Sequence, residues 1–212
     1  MSRYDLYARA HKALRAMMAD TLVAVGRADL GDDCEAREAI ARLEELLDAC
    51  EAHARLENAF VHAALDARRA EASAAFAAEH AKQEAEIESL RDLAARRSPR
   101  LHRALAVFVA GNLLHMEDEE TAGNAQLHAL FTDEEIHAIE RRLVASKPPA
   151  ESMATLRWML PSMNHPERVA MLSGMRAAPP AMLEGAMAIA RTHLAPRDFE
   201  RLSRALAEPA AA

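Results

Sequence analysis

The stretch LHRALAVFVAGNLLHMEDEE, residues 101–120, decides the fold of this chain. From Leu101 to Phe108 its apolar residues recur in steps of three and four, which is the spacing of one buried helix face. The same face continues into His115 and Glu119. An ionised carboxylate in an apolar interior is costly unless it is paired, so we expect a partner for it inside the fold.

The composition predicts an all-α protein. Hydrophobic residues make up 51% of the 212 residues, aromatic residues only 4%, and the chain has six glycines. Much of the apolar content is alanine, which costs little to fix in a helix and lets helices approach closely. The sequence has no valine- or threonine-rich alternating run of the kind that indicates a strand.

The charge and the termini exclude several classes of protein. A formal net charge of −7 argues against a nucleic-acid partner, because phosphate binding requires clustered lysine and arginine. The N-terminal sequence MSRYDLYARAHK lacks an apolar signal region, and no segment approaches the length of about eighteen apolar residues typical of a membrane span. Cys34 and Cys50 would lie about four turns apart on one helix, too far for a disulfide. We expect a cytoplasmic protein with no membrane segment.

Four long helical segments are expected in the first part of the chain. They run from about Tyr4 to Ala28, from there to about Arg69, from about Ser73 to Arg96, and on to about Thr121. Gly31 with Asp32, and Ser98 with Pro99, mark two clear breaks between them. The pattern predicts an up-down four-helix bundle over residues 1–131.

The remaining residues, 132–212, have a different sequence pattern, with shorter predicted helices and more prolines. They begin with a helix that Thr132 and Glu135 would cap, and shorter segments broken by prolines follow. Seven methionines lie between Met153 and Met187, and such residues more often fill gaps in a core than bind a metal. We expect a C-terminal helical extension packed on or beside the bundle. No internal repeat is apparent in the sequence.

Every long helix carries histidine on its apolar stripe. The polar residues on the four stripes are His11 on the first; His53 and Glu57 on the second; His80, with Gln83 or Glu84, on the third; and Asn112, His115 and Glu119 on the fourth. One such histidine would usually be a satisfied core residue, but four helices with the same feature indicate a shared site. No lysine or arginine occupies these stripes.

The depth of these residues along the helices agrees with a shared site. In an up-down bundle, side chains that meet lie equally far from the turn that joins their helices. The midpoint between His11 and His53 falls at Asp32, and the third and fourth helices are related in the same way through the break at Pro99. One layer is therefore predicted to contain His11, His53, Glu57, His80, Glu84, His115 and Glu119.

Bound cations would resolve the charge in this layer. Imidazole and carboxylate together suit iron, manganese or zinc better than calcium or magnesium, which prefer oxygen ligands. Four histidines and two glutamates are too many ligands for one ion and suit two ions that share the carboxylates.

Other polar residues are weaker candidates for metal ligands. His62 is about half a turn off the second stripe, and Asp118 and Glu120 are expected to face solvent.

These residues carry a family resemblance. His11, then HARLE at 53–57, EHAKQE at 79–84 and HMEDE at 115–119, together resemble the hemerythrin-like HHE cation-binding domain over roughly residues 4–135. The resemblance implies a four-helix bundle that holds a non-haem di-iron centre. It further implies the ligands: His11 and His53 on one iron, His80 and His115 on the other, and Glu57 and Glu119 as bridges.

The chain departs from the oxygen-carrying members of that family at two positions. Those proteins have a second histidine one turn after the first on the third helix, where this chain has Glu84. Their fourth helix has an aspartate five residues after its histidine, whereas here Glu119 follows His115 by four. A carboxylate at Glu84 would add negative charge to the shell and favour ferric iron over stable oxygen carriage.

The expected function is that of a non-haem di-iron protein that senses or binds oxygen, peroxide or nitric oxide. Zinc or manganese could occupy the same ligands. The alternatives are a di-iron peroxidase or oxidase, and an iron-responsive interaction protein. In the last case the C-terminal helices would contact a protein partner or a second copy of the chain. The sequence has no nucleophile–base motif, phosphate loop or CxxC motif that would indicate other chemistry.

Overall fold

The computed structural model describes residues 3–207, and in that range the chain forms helices and no strand. The helices up to residue 146 are α1 (Ala8–Arg27), α2 (Asp33–Leu56), α3 (Ala63–Arg68), α4 (Ala74–Ala95), α5 (Leu101–Asp118), α6 (Asn124–Leu130) and α7 (Asp133–Ala145). A π-helical turn, Glu57–His62, joins α2 to α3, and a second, Glu119–Gly123, joins α5 to α6. The all-α prediction is confirmed.

The four long helices α1, α2, α4 and α5 pack against one another in pairs. α1 packs against α2 and α5, and α4 packs against α5 and α2. Each helix contributes buried side chains at the predicted spacing, among them Met18, Leu46, Ile87 and Leu105. The tight turns between these helices lie close to the predicted positions, before Asp33, after Arg68 and before Leu101.

The turns are held by short-range hydrogen bonds. The Asp32 carboxylate accepts the backbone N–H groups of Cys34 and Glu35, which caps α2. After α3, the Asp66 carboxylate accepts both the backbone N–H and the hydroxyl of Ser73 at 2.9 and 2.8 Å. These contacts fix where each helix begins, and therefore how its stripe is aligned with the next.

The chain divides into two compact units, Met1–Ser146 and Lys147–Ala212. The first unit extends beyond residue 131, the predicted boundary, because α7 packs onto the helices before it. Ile136 and Ile139 of α7 are buried in one cluster with Tyr7 and Leu65. The apolar face of α7 is thus part of the first unit's core.

The N-terminus of α7 has the predicted capping box. The Thr132 hydroxyl accepts the backbone N–H of Glu135 at 3.3 Å, and the Glu135 carboxylate accepts that of Thr132 at 2.9 Å. We expect Thr132→Ala to lower the free energy of unfolding of the first unit by about 1 kcal/mol, measured by urea denaturation. Ser146→Ala at the other end of α7 is the control. An equal loss in both variants would contradict the capping role.

The second unit consists of α8 (Pro149–Ser162), α9 (His165–Gly174), a 3-10 turn (Met175–Ala177), α10 (Pro180–His193) and α11 (Pro196–Ala207). Its core is built around Leu160, Leu172 and Leu202, which are fully buried. Several of its methionines, including Met153 and Met187, pack against this core, in keeping with the gap-filling interpretation. Across residues 3–207 no helix has the length and apolar character needed to cross a membrane.

Candidate metal centre

The first unit brings six of the seven predicted residues together in its interior. They form two overlapping groups, His11, His53, Glu57 and Glu119 in one, and His80, His115 and Glu119 in the other. Within each group the candidate ligand atoms lie within 4.8 Å of one another. Five of the six residues are buried, and His53 is partly exposed.

The first group surrounds one oxygen of each glutamate. His53 Nε2 lies 3.2 Å from Glu57 Oε1, and His11 Nε2 lies 3.8 Å from the same atom. His11 Nε2 is also 3.3 Å from Glu119 Oε2 and 3.2 Å from His53 Nε2. Two imidazoles from α1 and α2 therefore converge on a carboxylate oxygen from each glutamate.

The second group surrounds the other two oxygens. His80 Nε2 lies 3.5 Å from Glu57 Oε2 and 3.5 Å from Glu119 Oε1. His115 Nε2 lies 3.3 Å from Glu119 Oε1. Glu119 thus turns Oε2 to His11 and Oε1 to His80 and His115. Glu57 turns Oε1 to His11 and His53 and Oε2 to His80.

Four of these distances, at 3.2–3.3 Å, match neighbouring ligands of a transition-metal ion, and the other three are longer, at 3.5–3.8 Å. Ligand bonds of about 2.1 Å at angles of about 90–110° place adjacent donor atoms about 3.0–3.4 Å apart. Several donors also lack any other partner: Glu57 Oε2, both Glu119 oxygens, and the Nε2 atoms of His80 and His115 are buried with no hydrogen bond to residues 3–207. Each of the two groups could therefore hold a metal ion, and Glu119 belongs to both groups.

The electrostatics of the layer also favour bound cations. Burial and repulsion from Glu119 raise the pKa of Glu57 to about 8. Burial opposes ionisation of Glu119 as well, but the neighbouring imidazoles of His11, His115 and His80 hold the pKa of Glu119 well below its usual range. The layer therefore accepts one carboxylate charge readily and resists the second. Cations at the shared oxygens would remove that repulsion.

Groups outside the layer fix the orientation of two imidazoles. Glu120 Oε1 accepts His11 Nδ1–H at 2.9 Å and an Arg15 N–H at 2.7 Å. Asn58 Oδ1 accepts His80 Nδ1–H at 2.9 Å. With its outer nitrogen engaged, each ring presents Nε2 to the centre.

The expectation that Glu120 faces solvent is wrong. Its carboxylate reaches across from the π-helical turn to α1, where it binds His11 and Arg15 and is only 20% exposed. Asp118 is exposed, as expected. Helical periodicity within one segment could not reveal the Glu120 contact, because the partners belong to a neighbouring helix.

Glu120 gives a direct test of this outer contact. We expect Glu120→Gln to weaken metal binding about 10- to 100-fold, because the neutral amide holds the His11 ring less firmly and lowers its basicity. Isothermal titration with Zn²⁺ or anaerobic Fe²⁺ measures the affinity. Glu117→Gln, an exposed neighbour, is the matched control. Equal affinities in the two variants would show that Glu120 does not support the centre.

Glu84 is the one predicted ligand that the structure does not bring to the layer. It is exposed, whereas Gln83 beside it is only 8% exposed. The buried face of α4 passes through His80, Gln83 and Ile87, and Glu84 lies outside it. Glu84 instead lines a cleft of about 840 Å³ between α2 and α4, to which His80 and Asn58 also contribute.

His62 is a buried residue that the sequence pattern missed. It is 3% exposed, and its ring lies against that of His80 with centroids 5.1 Å apart and planes at 17°. A π-helical turn holds one residue more than an α-helical turn, so His62 takes the place that the fourth residue after Glu57 would otherwise occupy. Burial, and then the charge of His80, lower the pKa of His62 to about 4.

One pattern of residues in and beside the centre occurs twice in the chain. The first set is Tyr7, His11, His53, Glu57 and His62, and the second is Phe76, His80, His115, Glu119 and Asn124. In both sets the first two residues are four apart, the glutamate follows its histidine by four, and a π-helical turn begins at the glutamate. The repetition involves single positions rather than similar segments, which is why the sequence alone did not show it.

Comparisons of the chain with protein-family models, with curated proteins and with solved structures find no match.

Proposed function

We propose that the first unit binds two transition-metal ions, iron foremost, and uses this centre to bind or sense oxygen, peroxide or nitric oxide. One observation carries the proposal. Glu57 directs one oxygen to His11 and His53 and the other to His80. Glu119 directs one oxygen to His11 and the other to His80 and His115. A single ion, or a purely structural polar layer, would not need carboxylates divided between two histidine pairs.

The proposal includes an up-down four-helix bundle of the hemerythrin-like kind. In support, each of α1, α2, α4 and α5 packs against two of the others, and all four supply site residues. The midpoints predicted for the turns also agree with the observed ends of the helices. The resemblance to the HHE domain in the order of histidines and glutamates remains part of the proposal.

The donor set suits iron, zinc or manganese better than copper. Imidazole with bridging carboxylate suits iron, and also zinc or manganese, whereas soft copper would draw on thiolate or thioether ligands. When bound, an iron pair would supply redox chemistry and an open coordination position for a small molecule. The protein holds the imidazoles, through Glu120 and Asn58, and shields the shared carboxylates from solvent.

Metal analysis of anaerobically purified protein tests the proposal. We expect about two iron ions per chain by inductively coupled plasma mass spectrometry. We also expect an absorption spectrum that changes when oxygen, peroxide or nitric oxide is added. Zinc after aerobic purification would still agree with the site but not with the redox role. Less than one transition-metal ion per chain after incubation with excess Fe²⁺ and Zn²⁺ would reject the centre.

A di-iron peroxidase or oxidase is the second candidate. The cleft between α2 and α4 favours it, because His80 and Asn58 line this cleft and small molecules could reach the edge of the centre through it. Continuous consumption of hydrogen peroxide with a reducing substrate would identify an enzyme. A single spectral change without turnover would identify a binding or sensing protein.

A further inference from the structure

Each end of the centre has two histidines and Glu119, but different side chains lie beside the two histidine pairs. At the first end, the Tyr7 ring is stacked on the His11 ring with centroids 5.5 Å apart. At the second end, the His62 ring lies against His80 at 5.1 Å, and Phe76 lies 6.0 Å from His62 on a stacked plane. The repetition described above is therefore broken in the groups that flank the two histidine pairs.

His62 is buried with neither ring nitrogen paired. Both Nδ1 and Nε2 lack a hydrogen-bond partner within residues 3–207. A neutral imidazole carries one N–H donor and one acceptor, and leaving either unpaired in the interior is unfavourable. Phenylalanine would fill the same space beside Phe76 without this penalty. Both ring nitrogens are therefore free to hydrogen-bond a polar molecule that enters the site.

Two structural roles for His62 do not fit its surroundings. It does not orient His80, because Asn58 already accepts His80 Nδ1–H. It also does not join the converging ligand atoms, which are those of His80, His115 and Glu119 at this end. A role toward a third, exogenous molecule remains.

The first end of the centre has other unpaired groups beside it, although His53 there is partly exposed. The Tyr7 hydroxyl and Asn124 Oδ1 are also unpaired, but Tyr7 is covered by Ile136 and Ile139 of α7 in a buried cluster. The Tyr7 hydroxyl also approaches Gly123 so closely that a Cβ there would lie 3.2 Å from it. By contrast, His80 at the second end lines the cleft between α2 and α4.

We propose that a small oxygen-derived ligand binds at the His80 and His115 end of the centre, and that His62 hydrogen-bonds it there. The inference rests on the proposed function and adds the place of binding and the residue that contacts the ligand. Peroxide and oxygen share the required chemistry, since each offers a small acceptor atom to an imidazole N–H. Azide is a spectroscopic probe for the same position.

Azide titration of the ferric protein tests the proposal with two matched variants. His62→Phe keeps the ring stacking but removes both nitrogens, and Asn124→Leu changes the corresponding position at the other end. We expect the Kd for azide to rise about tenfold in His62→Phe, with two iron ions retained, because a hydrogen bond to a charged ligand is lost. In Asn124→Leu we expect the same Kd to stay within about twofold.

Several results would overturn the inference. They are an unchanged azide Kd in His62→Phe, a larger change in Asn124→Leu, or loss of an iron ion in His62→Phe, which would make His62 a metal ligand. Should His62→Phe not fold, His62→Gln replaces it: a weakening larger in Asn124→Leu than in His62→Gln then rejects the assignment. Failure of the proposed function is seen separately, as absence of iron from the unmodified protein.

Discussion

Glu119→Ala is expected to lose both metal ions. Glu119 Oε2 lies 3.3 Å from His11 Nε2, and Glu119 Oε1 lies 3.3 Å from His115 Nε2, so one side chain serves both groups. Its removal weakens the two positions together, whereas a histidine serves only one. The metal content after incubation with excess Fe²⁺ and desalting should fall from about two ions per chain to less than about half an ion.

The neighbouring carboxylate provides the control for this change. Asp118→Ala removes an exposed acid one residue away and should keep both ions. His53→Ala should keep the ion held by His80 and His115, because those residues form the other group. Full two-ion occupancy in Glu119→Ala would reject the bridging assignment, even if the protein binds metal elsewhere.

Metal binding is expected to raise the melting temperature of the first unit strongly. A ligand that binds only the folded state at 100 times its Kd stabilises by about 2.7 kcal/mol, so two ions supply about 5 kcal/mol. For a unit of this size, that corresponds to an increase of about 10–20 °C. Part of this binding energy would come from the buried carboxylate pair, because burial and repulsion from Glu119 raise the pKa of Glu57 and a cation offsets both.

Thermal unfolding followed by circular dichroism measures this effect. The protein is compared after chelation and after addition of Fe²⁺ under anaerobic conditions, with Zn²⁺ as a redox-inactive parallel. Glu119→Ala should show no increase, and Asp118→Ala should show the full increase. A melting temperature that does not respond to either metal in the unmodified protein would contradict a metal centre in its core.

The inner residues of the long helices could be predicted from the sequence because two local properties place them. Alternate steps of three and four identified the inner residues His11, Glu57 and Glu119, because a buried helix face has the same period wherever it packs. The breaks near Asp32 and Pro99 set the depth of each residue, because a tight turn brings equal distances along two helices together. Both properties depend on local geometry, which the sequence encodes directly.

The π-helical turns explain part of what could not be predicted. Each begins at a glutamate and shifts the helical register of the residues that follow. His62 is therefore buried, although a regular α-helix would place it off the inner face. No signal in the sequence distinguishes these turns from the α-helix around them. The repetition of the glutamate spacing at Glu57 and Glu119 could have indicated that they come as a pair.

The sequence by itself determined that the protein is helical, approximately where the long helices end, and six of the seven residues predicted for the shared layer, because each follows from periodicity and capping along one segment. Only the tertiary structure decided that Gln83 rather than Glu84 is buried, that Glu120 holds His11, and that α7 belongs to the first unit. Each of these depends on the surface of a neighbouring helix. Contacts between helices arise from packing, which no single stretch of the chain contains.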